Sequence, residues 1–118
     1  MSGLTSGFAA IYQWRVKPGM EAQFVEAWTA VTRQLMRIDG ARGSRLHRLE
    51  NGNFVAYAQW PDRATWEVAC TQETIDIALS QRMLDTTEDV WPPMLLTTVI
   101  DLLMPEGQVV AQFDAITH

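Results

Sequence analysis

His47 and Arg45 are the residues of this chain best suited by type and spacing to do chemistry. An imidazole exchanges a proton near neutral pH, and a guanidinium two residues away can hold an anion. Both lie in SRLHRLENGNFVAYAQW, which covers residues 44–60. Within it, Asn51-Gly52 is the pair that most readily supplies the two positive φ angles of a type I′ turn. A two-residue turn pairs Glu50 with Asn53, and so predicts His47 opposite Ala56, Arg45 opposite Ala58 and Leu49 opposite Phe54. Strand alternation then gathers Arg45, His47, Leu49, Phe54, Ala56, Ala58 and Trp60 on one face. Two alanines among larger groups leave a hollow, so the expected site is a pocket for a flat, weakly acidic molecule. In it His47 acts as base and Arg45 holds the anion. A His and an Arg on a strand also serve to cap the open end of a sheet, and Trp60 also serves as core; both alternatives stay open.

The elements that must position this hairpin read clearly. FAAIYQWRV, residues 8–16, is rich in strand formers and stops at Lys17-Pro18-Gly19. From Met20, apolar residues recur at three- and four-residue steps through Phe24, Ala27, Trp28, Val31, Leu35 and Ile38, which predicts an amphipathic helix closed near Asp39-Gly40. Strands follow at Ser44–Glu50 and Asn53–Trp60. Asp62 is placed to cap a short helix over Arg63–Cys70, and Thr71–Met83 predicts another, with Ile75, Ala78, Leu79 and Met83 on one side. Pro92-Pro93 breaks the chain after Trp91. Met94–Met104 reads as a fourth strand, and Val109–Phe113 as an edge segment.

Strand, helix, strand, strand, helix, strand is the ferredoxin-like order: an α+β fold with a four-stranded antiparallel sheet and its helices on one face. Strand one is nonetheless apolar on both parities (Phe8, Tyr12, Trp14 and Val16 against Ala9 and Ile11), and so is strand four (Leu96, Ile100 and Leu102 against Leu95, Val99 and Leu103). The uncovered face therefore needs a partner, most simply a second copy, and a homodimer is expected. On this parity Tyr57, on the side away from His47, faces that partner. The space above Ala56 and Ala58 then depends on how closely Trp28 and the segment near Trp66 approach.

The 118 residues are 47% hydrophobic and 19% charged, which suits one domain with one core and excludes two full domains. Nine basic residues against fourteen acidic ones, scattered along the chain, argue against nucleic acid as a partner. No run of apolar residues is long enough for a membrane span, and MSGLTSGFAA lacks a cationic flank, so a soluble, unexported, cytoplasmic protein is expected. The single Cys70 cannot form an internal disulfide and reads as a small apolar residue packed on a helix. No phosphate loop, nucleophile elbow, metal-ligand set or dinucleotide fingerprint occurs. An oxygenase built on this chain is thus expected to work without metal, flavin or nicotinamide.

Three stretches, WRVKPGMEAQFVEAWTAV, SRLHRLENGNFVAYAQWPDRATWE and within it YAQW at 57–60, resemble the antibiotic biosynthesis monooxygenase superfamily of dimeric α/β barrels. The likeness covers residues 8–70 and extends to the rest by topology. The family includes haem-degrading enzymes, which use an Asn on strand one, a Trp on the helix after strand three and an axial His. Here those positions resemble Tyr12, Ala69 and Leu79, none of which can serve, so haem is not implied. The quinone-forming, cofactor-free branch fits better. By that resemblance its His is His47, its Trp is Trp60, its helical Tyr position holds Trp66, and its Arg is Arg82. Its Asn position holds Ala56. The resemblance implies a small cofactor-independent monooxygenase acting on an aromatic, polyketide-like or quinol substrate. His47 would accept the proton, Arg45 or Arg82 would hold the anion, and Trp60 and Trp66 would hold the rings. The alternative is a non-catalytic binding or stress-associated module of the same fold, which tolerates Ala56 without its amide.

Overall fold

Five strands and three helices follow one another as β1 (Phe8–Val16), α1 (Glu21–Ile38), β2 (Gly43–Arg48), β3 (Phe54–Trp60), α2 (Arg63–Thr71), α3 (Ile77–Asp85), β4 (Thr87–Val90) and β5 (Met94–Thr97). These come from a computed structural model that describes residues 7–71 and 77–103. All pairings are antiparallel, in the order β2-β3-β1-β4, and β5 shares the β1 edge with β4. This is the expected ferredoxin-like α+β architecture.

β4 and β5 together form the fourth strand. Trp14, Arg15 and Val16 pair with Val90, Asp89 and Thr87, and Phe8 through Ile11 pair with Thr97 through Met94. Pro92-Pro93 falls between the two ladders, where two residues without N–H groups can donate nothing to β1. The expected strand Met94–Met104 begins at Met94 as read but ends at Thr97, and β4 supplies the other half of the ladder. β1 runs out at its N-terminus, where Thr98 N–H donates to Gly7 O at 3.0 Å, and the strand pairing ends there. Of the expected helix over Thr71–Met83, residues 77–83 fall in α3 and Thr71 ends α2, while residues 72–76, Ile75 among them, and the segment Val109–Phe113 lie outside the described residues.

α1 packs on the sheet through Phe24, Ala27 and Val31, which repeat at three- and four-residue steps. Asp62 caps α2 as the sequence predicts: its Oδ1 accepts from Thr65 N at 2.7 Å and from Thr65 Oγ1 at 2.8 Å. The core has two clusters of buried residues, one of Phe8, Ala58, Trp60 and Ala69, the other of Trp14, Phe24, Phe54 and Ala56. Phe24 is fully buried, its ring centroid 5.2 Å from Trp14 and 5.0 Å from Phe54.

The β2–β3 hairpin departs from the expected geometry by one residue. Leu49 N–H donates to Asn53 O at 2.8 Å, so the loop is the three residues Glu50, Asn51 and Gly52. Gly52 has φ +93, the left-handed position that closes a three-residue loop, and Asn51 Oδ1 accepts from Asn53 N at 2.9 Å. The ladder consequently sets Ser44 against Ala58, Arg45 against Tyr57, Leu46 against Ala56, His47 against Val55 and Arg48 against Phe54. A shift of one residue turns every side chain of β2 to the other face.

Candidate functional site

β3 and β1 supply the floor of a cavity. Their register pairs Trp60 with Phe8, Ala58 with Ala10, Ala56 with Tyr12 and Phe54 with Trp14, so these side chains share the face that the helices cover. Above the small residues Ala56 and Ala58 nothing fills the layer, and 280 Å³ remains between sheet and helices. Trp28 descends from α1 and Trp66 from α2, while Met83 and Leu84 of α3 and Val90 of β4 reach the same space. Five of the expected site residues, Ala56, Ala58, Trp60, Trp66 and Trp28, do line one cavity, and neither Trp28 nor Trp66 closes it.

The other four do not. Arg45 and His47 pair with Tyr57 and Val55, and so project from the face of the sheet away from the helices. There they border a separate, broader hollow of 1040 Å³ with Arg42, Tyr57, Gln59 and Asp101. The expectation that they sit above Ala56 and Ala58 is corrected by the three-residue loop. The same shift puts Tyr57 on the His47 face, against the expected parity. Phe54 is core, packed on Phe24, with the Arg48 guanidinium 5.0 Å from its ring centroid. Arg82 is exposed on α3, where the neighbouring Met83 and Leu84 meet the cavity instead. A helix turns about 100° per residue, so one position of difference separates a wall from a solvated charge.

Among the described residues that line the cavity none carries a charge at neutral pH. Its polar side-chain groups are the hydroxyls of Tyr12, Thr32 and Ser44, the thiol of Cys70 and the indole N–H groups of Trp14, Trp28, Trp60 and Trp66. Ser44 Oγ donates to Tyr57 O at 3.0 Å and is thereby engaged. Tyr12, which the sequence places on one apolar parity of strand one and at a position unable to serve a haem enzyme, is the polar centre. Its phenol oxygen accepts from Trp66 Nε1 at 2.9 Å, across fifty-four residues of sequence. Burial pushes the Tyr12 phenol up from its ordinary value; the Trp66 hydrogen bond opposes that rise and the nearby Cys70 adds to it. The phenol is therefore protonated at neutral pH. Its ring stacks on Trp14 at 5.9 Å and 18°. Cys70, expected as packed apolar filler, is an exposed free thiol at the rim, raised by burial and then by the charge of Glu67. The Trp60 indole N–H is buried with no acceptor among the described residues. Strand alternation puts Tyr12 on the Trp14 face, but only the assembled sheet shows it beside Ala56.

Among the described residues no group of three or more His, Cys, Asp or Glu could hold a metal ion, and no helix is long and apolar enough to cross a membrane.

A ferredoxin-like sheet with an aromatic-walled cavity on its helix-covered face defines a class of small α+β proteins. Residues 7–74 match the family described as antibiotic biosynthesis monooxygenase, and this chain belongs to that family. No curated protein sequence matches it. Among solved structures it is similar to SnoaB, a cofactor-independent oxygenase from Streptomyces nogalater. That match has a TM-score of 0.68 and 17% identity, and covers 86% of this chain and 99% of that one. Rv0793 from Mycobacterium tuberculosis matches with a TM-score of 0.66 and 14% identity over 83% of this chain and 100% of that one. SO0527 from Shewanella oneidensis matches with a TM-score of 0.65 and 15% identity over 82% of this chain and 95% of that one. At these identities the likeness is one of fold.

Proposed function

We propose that this protein is a small cofactor-independent monooxygenase acting on an uncharged aromatic, polyketide-like or quinol substrate held between the sheet and the helices. The observation that carries the proposal is the 280 Å³ cavity walled by Trp28, Trp60 and Trp66 over Ala56 and Ala58, without a charged side chain among its described lining residues. Flat rings fit between indoles, and a charged ligand would lose its hydration there without a counter-charge. Family membership and the similarity to a cofactor-independent oxygenase support the reaction type.

With an anthrone-type substrate a ring methylene becomes a carbonyl, one atom of molecular oxygen enters the product, and the other leaves as water. The substrate supplies all the electrons. Tyr12 and Cys70 are both held protonated at neutral pH, so neither takes the first proton, which passes to solvent water at the cavity mouth through the substrate's own acidity. The chain contributes orientation between indoles and exclusion of water. His47 and Arg45, across the sheet, and Arg82, in solvent, have no part in this step. The test is oxygen uptake with a panel of anthrones and hydroquinones, without added metal or flavin. Uptake above the protein-free rate is expected with the wild type. No uptake with any member would overturn the reaction.

A second reading, a binding module without catalysis, is favoured by one observation: no base lines the cavity among the described residues, and Ala56 offers no amide to an oxyanion. Probe binding without oxygen uptake would establish it. We further propose that the face bearing Ile11, Tyr57, Met94 and Leu96 meets a second copy of the chain. The exposure of Met94 (60%), Val99 (82%), Ile100 (73%) and Leu102 (86%) supports this, since lone chains rarely leave so many large apolar groups in water.

A further inference from the structure

We propose that Tyr12 is the specificity-determining hydrogen-bond donor of the cavity, selecting ring systems that carry a carbonyl oxygen, and that Trp66 is the residue that positions it. The inference rests on the cavity being the ligand site, but not on any reaction taking place there.

Donors and acceptors can be counted at one oxygen. A phenol has one proton and two lone pairs. Trp66 Nε1 is donor only and spends its proton on a Tyr12 lone pair at 2.9 Å. No described residue accepts the Tyr12 proton. That proton is left on an oxygen whose lone pair is already engaged, and donation into such an oxygen strengthens the bond it gives in turn. A ligand oxygen in the cavity is the acceptor that completes the chain from Trp66 through Tyr12 to ligand.

Position supports the same assignment. Tyr12 stands opposite Ala56 across the β1–β3 ladder, so its phenol borders the space that the alanine leaves open. Two strong restraints hold the ring: the bond to Trp66 and the stack on Trp14. The other hydroxyls and the thiol are poorer candidates, and the Trp60 indole N–H, though unpaired among the described residues, is fully buried. Ser44 is committed to Tyr57 O. No hydrogen bond among the described residues orients the Thr32 hydroxyl, which is therefore free to rotate, unlike that of Thr29, fixed onto Val25 O at 2.7 Å. A thiol is a weak donor. An apolar wall whose tethered hydroxyl donor is Tyr12 discriminates by that donor, because a ligand without an acceptor leaves it unpaired once the ring has displaced water.

The probe pair 9-fluorenone and fluorene tests this directly: both are flat, neutral and nearly equal in shape, and only the ketone has an acceptor. Dissociation constants are read from quenching of tryptophan fluorescence. The wild type is expected to prefer fluorenone by about fivefold to tenfold, the worth of one hydrogen bond. Tyr12→Phe should remove the preference while leaving fluorene affinity within about twofold, and retained fluorene binding also shows that the variant is folded. Trp66→Phe keeps the phenol but releases it, and should shrink the preference without abolishing it. In the wild type the carbonyl stretch of bound fluorenone should shift to lower frequency, a readout that packing alone does not move. The proposal is overturned if the wild type shows no preference, if the preference survives Tyr12→Phe, if neither probe binds, or if the carbonyl stretch does not shift. Oxygen uptake failing with anthrones while these results hold would remove the reaction and keep the Tyr12 assignment; the reverse pattern would do the opposite.

Discussion

Leu46, rather than His47, stands opposite Ala56 across the β2–β3 hairpin. This single relationship takes the imidazole and the guanidinium of Arg45 out of the aromatic cavity and places both on the far face of the sheet. His47→Ala and Arg45→Ala are therefore expected to keep fluorenone affinity and any oxygen uptake within about twofold of wild type, as changes across the sheet from the cavity do. A loss of about tenfold in either, roughly 1.4 kcal/mol, would show that these groups reach the ligand by a route the fold does not suggest.

Ala58→Phe should fill the cavity. Ala58 is buried and borders the open space, so an added ring enters a void instead of displacing packed neighbours. Overpacking a filled core costs about 1–3 kcal/mol, and here the cost is expected near or below the low end. Thermal unfolding should change little while fluorenone binding is lost; a variant that still bound the probe at wild-type affinity would place the ligand elsewhere.

Gly52→Ala tests the loop that sets the register. At φ +93 an L-residue is strained, while an added Cβ would meet no atom within 4 Å, so the penalty is one of backbone alone. We expect a loss of roughly 1 kcal/mol or more by urea denaturation, and a smaller loss for Gly52→Asn, since asparagine tolerates this region better. Equal costs for the two substitutions would mean that conformation is not what glycine supplies here.

Asp62 ties folding to acidity. Its carboxylate accepts from the backbone N–H of Thr65 and then from the Thr65 hydroxyl, which holds it below the ordinary value of 3.8 in the folded chain. A depressed folded value means the stabilisation is complete above 3.8 and is lost as pH falls through the lowered value. Melting temperatures of wild type and Asp62→Ala should differ at neutral pH and converge as pH falls below that point. A gap that stayed constant down to strong acid would show that the ionised carboxylate is not the group responsible.

Val99→Glu probes the proposed pairing of sheet faces. The residue is 82% exposed, so the charge should not harm the isolated fold. Light scattering at micromolar concentration is expected to show a dimer for the wild type and a shift toward monomer for the variant. A wild type that is monomeric under these conditions would contradict the pairing and leave the exposed apolar face without an occupant.

Much of this molecule is legible in local patterns. Three- and four-residue apolar steps mark α1, Asp62 marks the start of α2, Asn51-Gly52 marks a turn, and Pro92-Pro93 marks a break, because each depends on residues within a turn or two of one another. The aromatic walls are legible as well, since Trp28, Trp60 and Trp66 are large apolar groups on faces that periodicity assigns. Whether the loop at Asn51-Gly52 holds two residues or three is decided by the tertiary structure. Both use the same dipeptide, and they differ by one residue in register, which the packing of Leu46 against the core cluster of Phe54 and Ala56 resolves. With that choice His47 and Arg45 leave the cavity. Tyr12 becomes its polar centre, because a hydrogen bond between residues fifty-four apart in sequence exists only once β1 and α2 have been brought together.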